Sequence, residues 1–231
     1  MIDEREIHIW IARTDVPEET LRTMNEVLDG EERARVARFR FDEDQRRAIV
    51  ARSTLRTLLG DYLERPPREL RFAFGAQGKP SLPDAPIEFN VSHSGDVVAI
   101  AFAAGSPLGV DVESEKRTSD LLAIAGRFFS PAEAEAVRNA ADVSAAFYRT
   151  WTAKESVIKA VGGGLSIDLQ SFRVWPESER FTSVENASED ARLSGWAVRS
   201  LPVAGGGYHA AVAIRGSDWT TIVRNVQPVA F

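Results

Sequence analysis

The sequence contains no cysteine, and this absence excludes several kinds of chemistry together. A protein without cysteine has no disulfide framework, no thiolate zinc site and no cysteine nucleophile. Any bound metal ion must therefore use oxygen ligands or one of the three histidines.

Long apolar runs are also absent: none approaches the roughly 20 residues that span a bilayer, and the opening MIDEREIHIW lacks the layout of a secretory signal. We therefore expect a cytoplasmic protein with no membrane partner.

Net positive charge is missing as well. The 231-residue chain has a formal charge of −6, whereas a nucleic-acid-binding domain is usually basic, so we expect no nucleic-acid partner. One short stretch departs from this acidic balance because it holds eight arginines. These are Arg33, Arg35, Arg38, Arg40, Arg46, Arg47, Arg52 and Arg56. Most of them are expected on a solvated helix face, although a phosphate-rich small ligand could use two or three.

Hydrophobic patterning predicts a globular α+β protein, with 44% hydrophobic residues available for a core. Helices are predicted over 17–38, 42–63 and 144–161, and Pro66-Pro67 ends the second of them. A further helix begins at Ser130, where a serine followed three residues later by glutamate forms a capping box. Strands are predicted at 7–12, 70–74, 96–103, 108–113, 172–175, 196–201 and 208–216.

The order of these elements repeats. A helix, a short strand and a longer strand occur once between residues 42 and 103 and again between 144 and 216. This repetition indicates an internal duplication, although it rests on order and pattern more than on identity. Ligand sites often lie between packed halves, so the duplication bears on where a site is expected.

The segment FYRTWTAKESVIKAVGGGL carries the most information about chemistry. Glu155 and Lys159 are four residues apart on the predicted helix, so they share a face and could form a simple surface ion pair. The apolar stripe of this helix places Glu155 at the edge of buried surface, where a carboxylate favours a cation. The stripe consists of Phe147, Trp151, Ile158 and Val161.

Two more acids stand close together on a predicted strand. Asp111 and Glu113 are two residues apart, so both side chains leave the same face. A hard divalent cation, magnesium above all, suits these two acids together with Glu155. The alternative is a solvent-facing acidic edge of a sheet.

His93 lies between two serines in FNVSHSGD, a polar cluster that precedes a predicted strand. A lone histidine is more often structural, as we expect for His8 and His209, but the serines beside His93 favour contact with an anion. Lys79 lies in the loop GAQGKP, which taken alone is an ordinary turn and no Walker motif. Together with the arginines and His93, Lys79 becomes a candidate phosphate ligand.

Taken together, GKP, FNVSHS, GVDVE, RFFSPAE and WTAKESVIKAVGGGL resemble the Sfp-type 4′-phosphopantetheinyl transferases in order and spacing, from about Arg33 to Phe172. The resemblance implies a 4′-phosphopantetheinyl transferase-like pseudo-dimer, in which two similar α/β halves enclose the ligand cleft. Residues 1–109 would contact the nucleotide and phosphates of coenzyme A. Residues 110–231 would hold magnesium and the catalytic residues and dock the carrier protein. Such an enzyme is expected to be a monomer.

The resemblance also implies roles for individual residues. Asp111, Glu113 and Glu155 match the magnesium ligands, and Lys159 matches the helix lysine near the reacting phosphate. We expect Glu155, directly or through a metal-bound water, to be the base, so Glu155 and Lys159 are the candidate catalytic residues. The positions matching coenzyme A contacts are Arg35, Arg47, Lys79, Ser92, His93 and Asp111. Glu32 occupies a position that is often basic in the family, and Val112 lies between the acids where some members carry a third acid.

The implied reaction is the transfer of 4′-phosphopantetheine from coenzyme A to a serine of an apo acyl or peptidyl carrier protein, with magnesium as cofactor. The carrier is expected to meet an apolar surface with basic points after Gly164, including Phe172 and Arg173. Two other interpretations stay open: a coenzyme A-binding module without activity, and a magnesium-dependent phosphotransferase that uses a nucleoside triphosphate. The intact acids and Lys159 oppose the first, and the absence of a Walker or kinase-type glycine loop opposes the second.

Overall fold

A computed structural model describes residues 2–75, 77–115 and 120–226, without the side chain of Leu165. Ala76, in the loop before Lys79, therefore lies outside the described residues. The helices are α1 (Glu18–Val27), α2 (Gly30–Val36), α3 (Asp42–Leu63), α4 (Leu121–Phe128), α5 (Pro131–Arg138) and α6 (Val143–Val161). The longer strands are β1 (Glu6–Arg13), β4 (Ile87–Ser94), β5 (Val97–Ala104), β6 (Leu108–Ser114), β10 (Trp196–Leu201), β11 (Tyr208–Arg215) and β12 (Thr220–Val226). Two-residue strands are β2 (Ala73–Phe74), β3 (Pro80–Ser81), β7 (Phe172–Arg173), β8 (Thr182–Ser183) and β9 (Glu185–Asn186).

The first large sheet has the strand order β12-β1-β5-β4. Its central strand β5 has the sequence VVAIAFAA and is buried from Val97 to Ala103, which explains its continuous apolar run. One face of the sheet, including Ile100 and Phe102, packs against α1 and α3 through residues such as Leu55 and Leu59. The last described strand, β12, lies parallel to β1, so the chain returns to this sheet at its end.

The second large sheet has the strand order β6-β11-β10-β8, with antiparallel pairing throughout. Its outer face, including Val198 and Ala211, packs against Val157 of α6. Its inner face packs against the inner face of the first sheet in a shared core that contains Ile9 and Val212. The main layers are therefore helix, sheet, sheet and helix.

Most strands predicted from the sequence are confirmed, but some elements were missed and others were mis-sized. The strands predicted at 70–74 and 172–175 are only two residues long, and the helical region 17–38 is divided into α1 and α2. The longer elements that were missed are β4, α4 and β12, and the two-residue strands β3, β8 and β9 were missed as well. The sequence of β4, IEFNVSHS, has polar residues at Asn90, Ser92 and Ser94, of which Asn90 and Ser92 are buried, and these polar residues made it resemble a loop. The capping box of Ser130 and Glu133 is confirmed at the start of α5.

Among the residues that the structure describes, no helix combines the length and the apolar character needed to cross a lipid bilayer.

Candidate active site

A cavity of about 330 Å³ opens where β4 of the first sheet faces β6 and α6. It is lined by Val91, Ser92, His93, Asp111, Glu113, Trp151, Glu155 and Lys159. Six of these eight residues were predicted from the sequence as site residues. The structure therefore brings together in one place three segments that are far apart in the chain.

The close approach of α6 to β6 depends on Gly109. A side chain at this position would collide with the backbone of Ser156 and of Ala160 in α6. With only a hydrogen there, α6 lies directly on the strand that carries Asp111 and Glu113. The glycine of the GVDVE motif is thus explained by packing.

Asp111 is the most buried acid of the cavity, with 4% of its surface exposed. Its Oδ1 accepts hydrogen bonds from Ser92 Oγ at 2.8 Å and from Lys159 Nζ at 2.7 Å. Its Oδ2 is buried and has no hydrogen-bond partner among the described residues. A buried carboxylate oxygen without a partner is costly, and a cation in the cavity would remove that cost.

Lys159 forms its ion pair across the cavity with Asp111, at 2.7 Å, so the simple surface pair with Glu155 on one helix is not what the structure shows. Its ammonium also donates to Ser92 Oγ at 2.8 Å. Lys159 therefore joins α6 to both strands of the cavity, β4 and β6.

Glu155 is half-buried on α6, and no hydrogen bond or ion pair holds its carboxylate among the residues that the structure describes. Burial raises the pKa of Glu155 above its usual value, and the negative charges of Asp111 and Glu113 raise it further. The positive charge of Lys159 opposes this shift. A carboxyl group with a raised pKa suits a proton acceptor, provided that it is ionised at the working pH.

Arg47 supplies positive charge on the β4 side, near His93. Arg47, on α3, donates from Nε to the carbonyl of Gly95 at 2.9 Å and from Nη1 to Asp44 at 2.9 Å. Burial lowers the pKa of His93, and the charges of Arg47 and Lys159 lower it further. His93 lines the cavity, so its side chain can reach a ligand there.

Three predicted site residues do not line the cavity: Arg47, Lys79 and Arg35. Lys79 donates to the carbonyls of Leu108 at 3.0 Å and Lys159 at 3.1 Å, and burial lowers its pKa. Its ammonium thus joins the start of β6 to the end of α6. Arg35 is exposed on α2, outside the cavity.

Glu32, at the position that is often basic in the family, is held within the fold. Its carboxylate accepts from the backbone of Asp29 at 3.0 Å and from Arg56 Nε at 2.7 Å, and it pairs with Arg52 at 3.4 Å. Arg56 is completely buried and also pairs with Asp29 at 2.9 Å. Two arginines of the basic stretch are therefore committed to the packing of α2 on α3.

The expected carrier-docking role of Phe172 is wrong, because this side chain is fully buried. It packs beneath the ammonium of Lys154, which donates to the carbonyl of Phe172 at 2.6 Å and pairs with Glu133 at 2.9 Å. Arg173 is partly exposed, with 42% of its side chain accessible.

Sequence reasoning missed two contacts of the site region. Ser94 was noted only as a neighbour of His93, yet its hydroxyl donates to Glu113 Oε2 at 2.7 Å. The buried pair of Lys154 and Glu133, both inaccessible to solvent, was also missed. The sequence signal for this pair was Glu133 of the capping box, because a glutamate that becomes buried needs a positively charged partner such as Lys154.

The donors around the cavity suit a hard cation, although in the part of the chain that the structure describes no three His, Asp or Glu side chains form a ready-made metal-ligand group. The three acids are carboxylates, the ligand type that magnesium uses. Oδ2 of Asp111 has no hydrogen-bond partner among the described residues, and burial together with the charge of Asp111 raises the pKa of Glu155; a cation in the cavity would relieve both conditions. The residues present therefore fit a divalent cation.

Comparison with known proteins extends over nearly the whole chain. Residues 107–213 match the model of the 4′-phosphopantetheinyl transferase superfamily, and residues 15–105 match that of the 4′-phosphopantetheinyl transferase N-terminal region. The 4′-phosphopantetheinyl transferase HetI of Nostoc sp. is 34% identical over 223 residues, which cover 93% of this chain and 90% of HetI.

Two further relatives come from Bacillus subtilis. The 4′-phosphopantetheinyl transferase Sfp is 35% identical over 180 residues, covering 77% of this chain and 79% of Sfp. The 4′-phosphopantetheinyl transferase ffp is 37% identical over 180 residues, with the same two shares. Identity at this level over most of both chains, together with the two family matches, shows that the chain belongs to the 4′-phosphopantetheinyl transferase superfamily and is an Sfp-type 4′-phosphopantetheinyl transferase.

Proposed function

We propose that this enzyme transfers the 4′-phosphopantetheine group from coenzyme A to a serine hydroxyl of an apo acyl or peptidyl carrier protein, with magnesium, and releases 3′,5′-ADP. The observation that carries the proposal is the convergence of Asp111, Glu113 and Glu155 on one cavity beside the ammonium of Lys159. Three acids and a lysine around one opening suit a substrate that brings a diphosphate and a cation.

The proposal includes the division into halves at residues 1–109 and 110–231, with coenzyme A bound between them. In support, each large sheet carries one long helix on its outer side, α3 or α6. The cavity also lies between an edge strand of one sheet and an edge strand of the other. Strand β12 is then a strand of the second half that joins the first sheet. We further propose a cytoplasmic monomer.

In this proposal, Asp111, Glu113 and Glu155 would hold the magnesium ion. When bound, the ion would offset the charge of the pyrophosphate and make its phosphorus more susceptible to attack. Asp111 offers Oδ2 to a cation, while its Oδ1 is already occupied by Ser92 and Lys159. Lys159 therefore fixes this carboxylate while leaving one oxygen available.

Glu155, which lines the cavity, would take the proton of the attacking serine. The serine oxygen forms a bond to the phosphorus that carries pantetheine, and the bond from that phosphorus to the bridging oxygen breaks. The bridging oxygen leaves on 3′,5′-ADP. Lys159 would offset the charge that develops on this leaving group.

His93, Ser92 and Arg47 would bind the phosphates of coenzyme A at the β4 side of the cavity. Ser92 and His93 line the cavity, and the positive charges of Arg47 and Lys159 lie close enough to His93 to lower its pKa further than burial alone, so an anion bound there would meet positive charge. Lys79 and Arg35 stay in the proposal as contacts to coenzyme A. For Lys79, binding would require its ammonium to exchange the carbonyls of Leu108 and Lys159 for a phosphate.

The test is to incubate the protein with coenzyme A, magnesium and an apo carrier protein, and to examine the carrier by mass spectrometry for the phosphopantetheine adduct. We expect Glu155→Ala to lower kcat by about 100-fold or more, the usual loss when a general base is removed. Lys79→Ala should mainly raise the KM for coenzyme A. Glu179→Ala, at an exposed glutamate, is the matched control and should leave both constants unchanged.

The outcome distinguishes the competing functions. A coenzyme A-binding module would leave the carrier unmodified, and a triphosphate-dependent phosphotransferase would need a nucleoside triphosphate in place of coenzyme A. Near-normal turnover of Glu155→Ala at saturating magnesium would contradict the role given to Glu155 while leaving the overall reaction intact.

A further inference from the structure

The edges of the two large sheets meet along β4 and β6, and side chains join them. Each of these strands is the last in its sheet, so each presents an edge of backbone groups without a neighbouring strand of the same sheet. The backbone N–H groups of Val110 and Val112 donate to Asn90 Oδ1 at 2.9 Å and Ser92 Oγ at 3.3 Å. We call this set of contacts the side-chain seam.

The seam continues by one more step. The backbone N–H of Ser114 donates to Ser94 Oγ at 3.2 Å. Asn90, Ser92 and Ser94 are alternate residues of β4, so they leave the same face, and they meet alternate N–H groups of β6. The match of two-residue periods on the two strands fixes how β6 lies along β4.

The two serines of the seam also contact the two acids of β6, and they do so in the same way. Ser92 donates to Asp111 and accepts from the N–H of Val112. Ser94 donates to Glu113 Oε2 at 2.7 Å and accepts from the backbone N–H of Ser114. A serine hydroxyl has one proton to donate, so in each case that proton is directed to a carboxylate.

We propose that Ser94 is a positioning residue that orients Glu113 toward the cation site while it anchors the edge of β6. Hydrogen bonds from a second layer of side chains commonly fix the direction of a ligating carboxylate. Ser94 does not line the cavity, so its effect on a cation acts through Glu113. This inference rests on the proposed magnesium site.

The test uses Ser94→Ala, which removes the hydroxyl, and Ser94→Thr, which keeps it. Binding of Mn²⁺ to the protein without substrate is measured by electron paramagnetic resonance, and hydrogen exchange of the Ser114 amide by NMR. We expect Ser94→Ala to bind Mn²⁺ roughly 10-fold more weakly or worse, in line with the loss of an outer partner at other metal sites. The Ser114 amide should exchange faster, and Ser94→Thr should restore both properties.

Ser81→Ala, at an exposed serine, is the matched control and should change neither property. The kinetic constants give a second comparison, in which Ser94→Ala should raise the metal concentration for half-maximal rate while leaving the KM for coenzyme A nearly unchanged. If Ser94→Ala instead lowered the Tm and changed every kinetic constant together, and Ser94→Thr restored none of them, the hydroxyl would have no separate effect on Glu113. The positioning role would then be overturned.

Failure of this inference and failure of the proposed function give different results. If the parent protein binds Mn²⁺ and loses it in Asp111→Asn, but Ser94→Ala binds it normally, Ser94 serves the seam alone and the positioning role is overturned. If the parent protein binds no Mn²⁺ under any condition, the magnesium site itself is overturned.

Discussion

Glu155 combines two unfavourable conditions for an anion: partial burial and the nearby charges of Asp111 and Glu113. Its pKa in the folded protein is therefore raised above the value in the unfolded chain. Ionising such a group costs folding free energy. The cost is absent below the unfolded pKa near 4.5 and develops as the pH rises through the folded pKa.

We therefore expect Glu155→Gln to be more stable than the parent protein at pH 7 without divalent cations. The gain should appear as a higher Tm, since each kcal/mol corresponds to about 2–4 °C in a chain of this size. The gain should shrink as the pH falls toward 4.5, because the parent glutamate then becomes protonated. Calorimetry of the two proteins across this pH range, in the presence of a chelator, measures the difference.

Added magnesium should stabilise the parent protein more than the Glu155→Gln variant. If the acids hold the ion, adding it should raise the Tm of the parent protein more than that of Glu155→Gln, because binding to the folded state stabilises it. Glu179→Gln, at an exposed position, serves as the control and should follow the parent in both experiments. A Glu155→Gln protein less stable than its parent at pH 7 would contradict the assigned electrostatic cost.

At the residue scale, spacing was enough to find the acids but not their partners. Two acids separated by one residue on a strand must share a face, and Glu155 and Lys159 must share a helix face. The partners depend on which strand lies beside β6, and no local pattern encodes this. For that reason the pair of Lys159 with Asp111 and the contact of Ser94 with Glu113 appear only in the structure.

At the scale of elements, the packing of α6 on β6 depends on Gly109, because a glycine has no side chain to separate the helix from the strand. We expect Gly109→Ala to destabilise the protein by about 3 kcal/mol, at the upper end of overpacking costs, because the backbone of Ser156 and Ala160 must move away. Chemical denaturation measures this loss. Since the same movement displaces Glu155 and Lys159 from Asp111, turnover should fall as well.

Gly126→Ala provides the control within a helix. Gly126 lies in α4, and a side chain there would meet no other atom within 4 Å. Alanine favours the helical state over glycine by roughly 1 kcal/mol, so this variant should be more stable than the parent. Equal effects of the two substitutions would show that space beside β6 is not the reason for Gly109.

The elements that the sequence predicted well are those with a strong local pattern. Helix α3 ends near Pro66-Pro67 as expected, and α5 begins with the expected capping box. Strand β4 was missed because the seam requires polar residues at three alternate positions, where a strand with two buried faces would carry apolar ones. The feature that serves the site is thus the feature that hid the strand.

At the scale of the whole molecule, three connections oppose independent unfolding of the two sheets. The sheets share the core that contains Ile9 and Val212, and the side-chain seam joins β4 to β6. Strand β12 follows the last strand of the second sheet and pairs with β1 of the first. Pairing between the two ends of a chain cannot be read from local sequence patterns, which explains why β12 was not predicted.

We therefore expect one cooperative thermal transition, with equal calorimetric and van't Hoff enthalpies, in place of two separate transitions. Val223 of β12 lies opposite Ile9 and packs on the shared core, whereas Asn225, on the same face two residues later, is exposed. Val223→Asp should lower the stability by about 2–3 kcal/mol because it places a charge against apolar side chains. Asn225→Asp should change it by less than about 0.5 kcal/mol. If the shared core couples the sheets, Val223→Asp should lower the temperature of the thermal transition, and the transition should remain single. A second transition in either variant would show that the sheets unfold independently.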